Sequence, residues 1–91
     1  MGTIDLQDIH KTAYLIMHNK QPELIRNRDG RVVFRIKTDN EVQRLLIDYE
    51  CNPEIRLLDF VNVLKRLRGR MLDVRDAHNG NGEREHGRKE G

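Results

Sequence analysis

Residues 57–74, LLDFVNVLKRLRGRMLDV, carry the longest continuous apolar face in the chain. Leu57, Phe60, Leu64, Leu67, Met71 and Val74 step by three and four residues, which places them on one stripe of an α-helix. Every other element has to pack on that stripe or leave it to a partner. Pro53 can open this helix, or Asp59 can cap it after a brief extended stretch at 54–56. The periodicity carries it to about Val74 or Asp76. Gly69 lies inside it, at a cost of about 1 kcal/mol against alanine, which a close crossing of another element would explain.

Upstream of the stripe the spacing predicts a second helix from Thr38 or Asp39 to about Glu50, with Val42, Leu45, Leu46 and Tyr49 buried. Thr38 and Glu41 have the separation of a capping box. Before it, residues 24–28 and 31–38 flank Asp29-Gly30, the pair best suited to a two-residue type I′ turn. That turn sets Ile25 opposite Phe34 and turns Val32, Phe34 and Ile36 toward the core. A first helix is expected over about 5–19, capped by Thr3 or the Asp5/Asp8 pair. Leu6, Ile9, Ala13, Ile16 and Met17 form its stripe, with Tyr14 beside it, and Pro22 lies beyond its end. From Ala77 onward no larger apolar residue occurs, and residues 77–91 read as a disordered tail.

The expected object is therefore a single α+β domain over 1–76, ordered helix, β-hairpin, helix, long helix, with the helices on one face of the hairpin. At 91 residues only one small core can form. With 4% aromatic residues and no Trp, that core is aliphatic. Cys51 is the only cysteine, so no internal disulfide is available. Together with the lack of a signal peptide, this points to a reducing, cytoplasmic setting. No apolar run approaches the ~20 residues that span a bilayer.

The net charge of +2 says little, but its distribution is informative. Arg26, Arg28, Arg31, Arg35 and Lys37 oppose only Asp29, and Lys65, Arg66, Arg68, Arg70 and Arg75 oppose only Asp73, so each segment carries +4. In the type I′ register all five hairpin cations share one face, with Arg28 opposite Arg31. That face would suit phosphates, with Arg66 and Arg70 in support. The alternative is a solvated face whose charges pair with nearby acids. The order strand, helix, helix is similar to that of ribbon-helix-helix DNA binders, but here the strand belongs to an intramolecular hairpin preceded by a helix.

Catalytic and metal patterns do not assemble. His10 and His18 are eight residues apart, His78 and His86 lie in the tail, and Cys51 has no partner at ligand spacing. Asp48-Tyr49-Glu50 is a helix C-terminal turn, and no phosphate-binding glycine loop or nucleophile elbow occurs. No enzyme and no cofactor are expected. The stripe Leu57, Phe60, Leu64, Leu67 and Met71 supplies the core, or in part a homodimer contact.

Thr3-Ile4-Asp5-Leu6 with Tyr14, the run 29–34 (DGRVVF), Asp39-Asn40-Glu41 and the run 60–65 (FVNVLK) together resemble a small, widely scattered bacterial domain family of unknown function. The resemblance covers roughly residues 3–72 and implies no catalytic or binding residues. Its members stand alone as small proteins, which favours a binding module. The expected role is a non-enzymatic adaptor acting through protein contacts, with self or another protein as partner. Nucleic acid on the basic hairpin face is the alternative.

Overall fold

Alternation governs the start of the chain. In the computed structural model, which describes residues 2–87 with side chains through 76, Thr3–Leu6 is a strand, β1, and the first helix begins only at Ile9. The expected helix from about residue 5 is thus corrected. Ile4 and Leu6, two apart, turn inward, while Thr3 and Asp5 face out. Asp8 caps α1 (Ile9–Met17), its carboxylate accepting from the backbone N–H of His10 at 2.9 Å and of Lys11 at 3.2 Å. Asn19 closes that helix in the left-handed region at φ 66°, and Lys20 N–H bonds back to the Leu15 carbonyl at 3.0 Å.

Two strands follow, β2 (Glu23–Arg26) and β3 (Val32–Lys37). Leu24 pairs with Phe34, Ile25 with Val33 and Arg26 with Val32, one residue away from the type I′ register. The turn itself is the reason. Only Gly30 takes a positive φ, 89°, whereas a type I′ turn needs one at Asp29 too. Gly30 N–H donates to the Asn27 carbonyl at 3.1 Å, and Asn27 N–H to the Arg31 carbonyl at 2.7 Å, which makes a three-residue loop of Arg28, Asp29 and Gly30. Phe34 and Ile36 still face the core, because the shift moves β2 rather than β3. All of β2 changes face: Leu24 replaces the expected Ile25 opposite Phe34, Ile25 turns to the outer face beside Val33, and Arg26 turns inward beside Val32.

β1 pairs antiparallel with β3, giving a three-stranded sheet in the order β1-β3-β2. Its inner rows are apolar: Leu6, Phe34 and Leu24 side by side, with Ile4 beside Ile36. The next row, Asp5, Arg35 and Glu23, points outward.

Two further helices, α2 (Asn40–Glu50) and α3 (Leu57–Gly87), complete the chain. Asp39 caps α2 through Val42 N–H at 2.8 Å. The capping box expected between Thr38 and Glu41 does not form. The Thr38 hydroxyl accepts from Gln43 Nε2 at 2.7 Å, and Glu41 pairs with Lys20 at 2.8 Å. Residues 52–56 are neither strand nor helix. Helical backbone continues to Gly87, past the end expected near Val74 or Asp76. Once the core-facing turns nucleate a helix, each added residue gains a hydrogen bond. Part of the segment 77–91 expected as a disordered tail is thus helical, and residues 88–91 lie outside the described residues.

The helices pack on one face of the sheet, with α1 between α2 and α3. Thr12, Ala13, Tyr14 and Leu15 are buried consecutively, because each side of α1 meets a neighbour. Tyr14 and Leu15 join Ile36, Val42 and Leu45 on the α2 side, while Ala13 joins Phe34, Val63 and Leu67 on the α3 side. Leu6 and Phe60 touch both clusters and tie them into one core. The Thr12 hydroxyl donates to the Asp8 carbonyl at 2.9 Å, which satisfies the buried polar group. Gly69 faces open space, so no close crossing accounts for it.

Candidate functional site

Where α1, the end of α2 and the start of α3 meet, they leave a cleft of about 330 Å³ lined by His10, Tyr14, Tyr49, Glu50, Asn52, Pro53, Ile55 and Phe60. Three of the chain's four aromatic residues line it. The local backbone explains the placement. Cys51 ends α2, and Asn52 takes a left-handed φ of 61°, which asparagine tolerates. Pro53 and Ile55 are thereby carried back over the cleft before α3 begins. Cys51 itself is exposed at the helix end.

The rings pack in pairs. Tyr14 and Tyr49 are tilted with centroids 5.8 Å apart, and His10 lies against Phe60 at 6.4 Å. Lys11 Nζ sits 5.8 Å from the centre of the Tyr49 ring and 3.0 Å from Glu50 Oε2. Its hydrogen bond to Glu50, aided by the charge of Asp8, raises the Lys11 pKa. Burial raises both phenols above their ordinary value, reinforced by Asp48 at Tyr14 and by Asp8 at Tyr49. At neutral pH both hydroxyls therefore keep their protons and can donate.

Beside the cleft the surface stays apolar. Ile55 is 37% exposed, and Leu57 and Leu58, in the first turn of α3, are 67% and 74% exposed. Ile47, on the outer side of α2, is 64% exposed. Arg56 and Asp59 pair across this turn at 3.3 Å.

The residues expected to mediate self-association divide. Leu67 is 1% exposed, and Phe60, Leu64 and Met71 are half-buried against the core, so the stripe faces inward and Leu57 alone stands out. The expected basic face is not assembled. Arg31, Arg35 and Lys37 share the outer sheet face, Arg28 sits in the turn, and Arg26 lies on the inner side with Nη2 3.5 Å from where a Cβ on Gly30 would stand. Arg28 therefore does not face Arg31. Arg35 is held by Asp5 through two bonds of 2.8 and 3.0 Å, with Glu23 on its other flank. That contact holds the Asp5 carboxyl below its ordinary pKa. Arg31 Nε lies 3.9 Å from Asp29, and Lys37 is exposed opposite Thr3. Arg66 and Arg70, exposed on α3, line a separate cleft of about 190 Å³ with Ile16 and Gln21.

The two basic segments do meet at one place. Arg31 and Arg75 line an opening of about 320 Å³ with Gln7, Gly30, Val32 and Met71. Neither this meeting nor the aromatic cleft is visible in any local motif, because each draws on elements far apart in sequence. The scarcity of aromatic residues was the available signal for the cleft.

Among the described residues, no group of three or more His, Cys, Asp or Glu could hold a metal ion. No described helix is long and apolar enough to cross a membrane. Comparison of the chain with protein-family models, with curated proteins and with solved structures found no match in any of the three.

Proposed function

We propose that this chain is a non-enzymatic binding module that docks a partner protein at the aromatic cleft and the adjoining Ile55–Leu57–Leu58 ledge. The observation that carries this reading is the meeting of Tyr49 and Phe60 at one cleft floored by the buried Tyr14, with Ile55 in its lining and the exposed Leu57 and Leu58 between Ile55 and Phe60 in sequence. Aromatic anchors surrounded by aliphatic surface are the composition of protein-contact hot spots. A cleft of about 330 Å³ is at the small end for enclosing a ligand but ample for one anchoring side chain of a partner. Tyr14 and Tyr49 supply proton donors to orient a partner's backbone, and Phe60 supplies apolar area.

A photo-crosslinking residue in place of Leu58, in the cells that make the protein, tests this. A discrete crosslinked product is expected from Leu58 and none from Lys65, which is also exposed on the same helix. A product of twice the protein's mass would identify the partner as a second copy. Equal labelling from both positions would sink the reading.

The second reading, contact with nucleic acid, draws on Arg31 and Arg75 meeting at one opening. The pairing of Arg35 with Asp5 and the absence of aromatic residues around that opening count against it.

A further inference from the structure

We infer that the partner segment taken by the cleft is basic: an apolar anchor side chain flanked by lysine or arginine. This rests on the protein-docking reading above and adds the chemistry of the partner.

The charge around the cleft is predominantly negative. Glu50 lines it, Asp8 lies 3.7 Å from the lining His10, Asp48 acts on Tyr14, and Glu54 is exposed between the lining residues Pro53 and Ile55. Four carboxylates thus stand against the single ammonium of Lys11, in a molecule whose total charge is +2. Arg56 does not offset them, because Asp59 holds it at 3.3 Å.

The titratable groups of the cleft agree with this placement of charge, although burial is the larger cause at both phenols. Lys11 is stabilised as a cation, chiefly by Glu50, and the Tyr14 and Tyr49 phenols resist ionisation through burial and the nearby carboxylates. Lys11 also shows how a cation is held here, against a tyrosine face and a carboxylate together. Phe60 offers further ring surface in the same cleft, and Asp8, Asp48 and Glu54 place further carboxylates beside its lining residues. A basic segment would gain from all of these, and an acidic one would be repelled.

The test pans a library of random dodecapeptides displayed on phage against the full chain, with the uncharged Ile55→Gln as the counter-selected control. Ile55 lies outside the secondary structure, so the variant should keep the wild-type circular dichroism and melting temperature. Clones that depend on Ile55 should carry net positive charge around one aliphatic or aromatic residue. As synthetic peptides they should weaken by about tenfold against Asp48→Lys, which leaves the Lys11–Glu50 pair in place, and weaken as salt is raised. Ile55-dependent clones that are neutral or acidic would overturn the inference while leaving the docking reading intact. No Ile55-dependent clone at all would overturn both. Sedimentation showing self-association that Ile55→Gln abolishes would assign the cleft to a second copy and overturn the basic peptide.

Discussion

Phe60 and Arg75, near the two ends of the stretch of α3 whose side chains are described, sit in opposite surroundings. Near its start, Phe60 closes a cleft of aromatic rings ringed by Asp8, Asp48 and Glu50. About 22 Å farther along, at the ~1.5 Å rise per residue of a helix, Arg75 meets Arg31 of the hairpin across an opening without aromatic residues. A total charge of +2 conceals this polarity. The lesson is that apolar anchors and excess cations, either of which could signal binding, are separated in space. A partner that uses one end has no reason to use the other.

Substitutions along α3 should show the difference most strongly in stability. Leu67→Ala removes a side chain that is 1% exposed and should cost about 2–5 kcal/mol in urea unfolding, whereas Leu58→Ala, 74% exposed, should stay within about 0.5 kcal/mol. Equal costs would mean that the start of α3 is buried against something, and the ledge would vanish. Asp8→Ala removes the acceptor for two backbone N–H groups of α1 and should cost about 0.5–2 kcal/mol. It should also weaken any basic ligand of the cleft. Gly69→Ala lies between the two ends and meets open space, so it should add up to about 1 kcal/mol without changing either end.

The basic end can be challenged directly. Arg31→Glu with Arg75→Glu should leave the fold intact and make no difference in a titration with labelled duplex DNA at low salt. Salt-sensitive binding that this pair abolishes would transfer function to the hairpin end. The smallest expected effect is on the outer sheet face. Asp5 is held below its ordinary pKa by Arg35, so its contribution is present above the ordinary aspartate range and is lost as pH falls through the lowered value. Asp5→Asn should flatten that part of an acid-unfolding profile.

Helical periodicity made α2 and the core face of α3 legible, since Val42, Leu45 and Leu67 are buried as the spacing requires. Phe34 and Ile36 of β3 were legible for the same reason, with period two, but Val33, which the alternation sets outward, is 4% exposed, and Val32, which it sets inward, is only half-buried. What failed was what periodicity cannot decide. Ile4 and Leu6 suit a strand, and Leu6 and Ile9 suit a helix, so only the pairing with β3 settles that Thr3–Leu6 is extended. Asp29-Gly30 fits two turn types, and the choice displaced Arg26 and broke up the expected basic face. The burial of Thr12 to Leu15 has no period, because α1 is covered from several directions. The cleft was illegible because Tyr14, Tyr49 and Phe60 come from three separate helices.

The pairing of β1 with β3 also constrains how the chain matures on the ribosome. Leu6 emerges early, but its partner Phe34 follows only after α1 and β2, and the core row closes once Leu67 is out. At about 5–20 residues per second, that delay is on the order of seconds. During it, the β2–β3 hairpin can close locally while β1 waits unpaired. Phe60 is the last wall of the cleft to be synthesised. A nascent chain therefore has no finished cleft, and capture of a partner of the kind proposed would belong to the period after α3 has emerged.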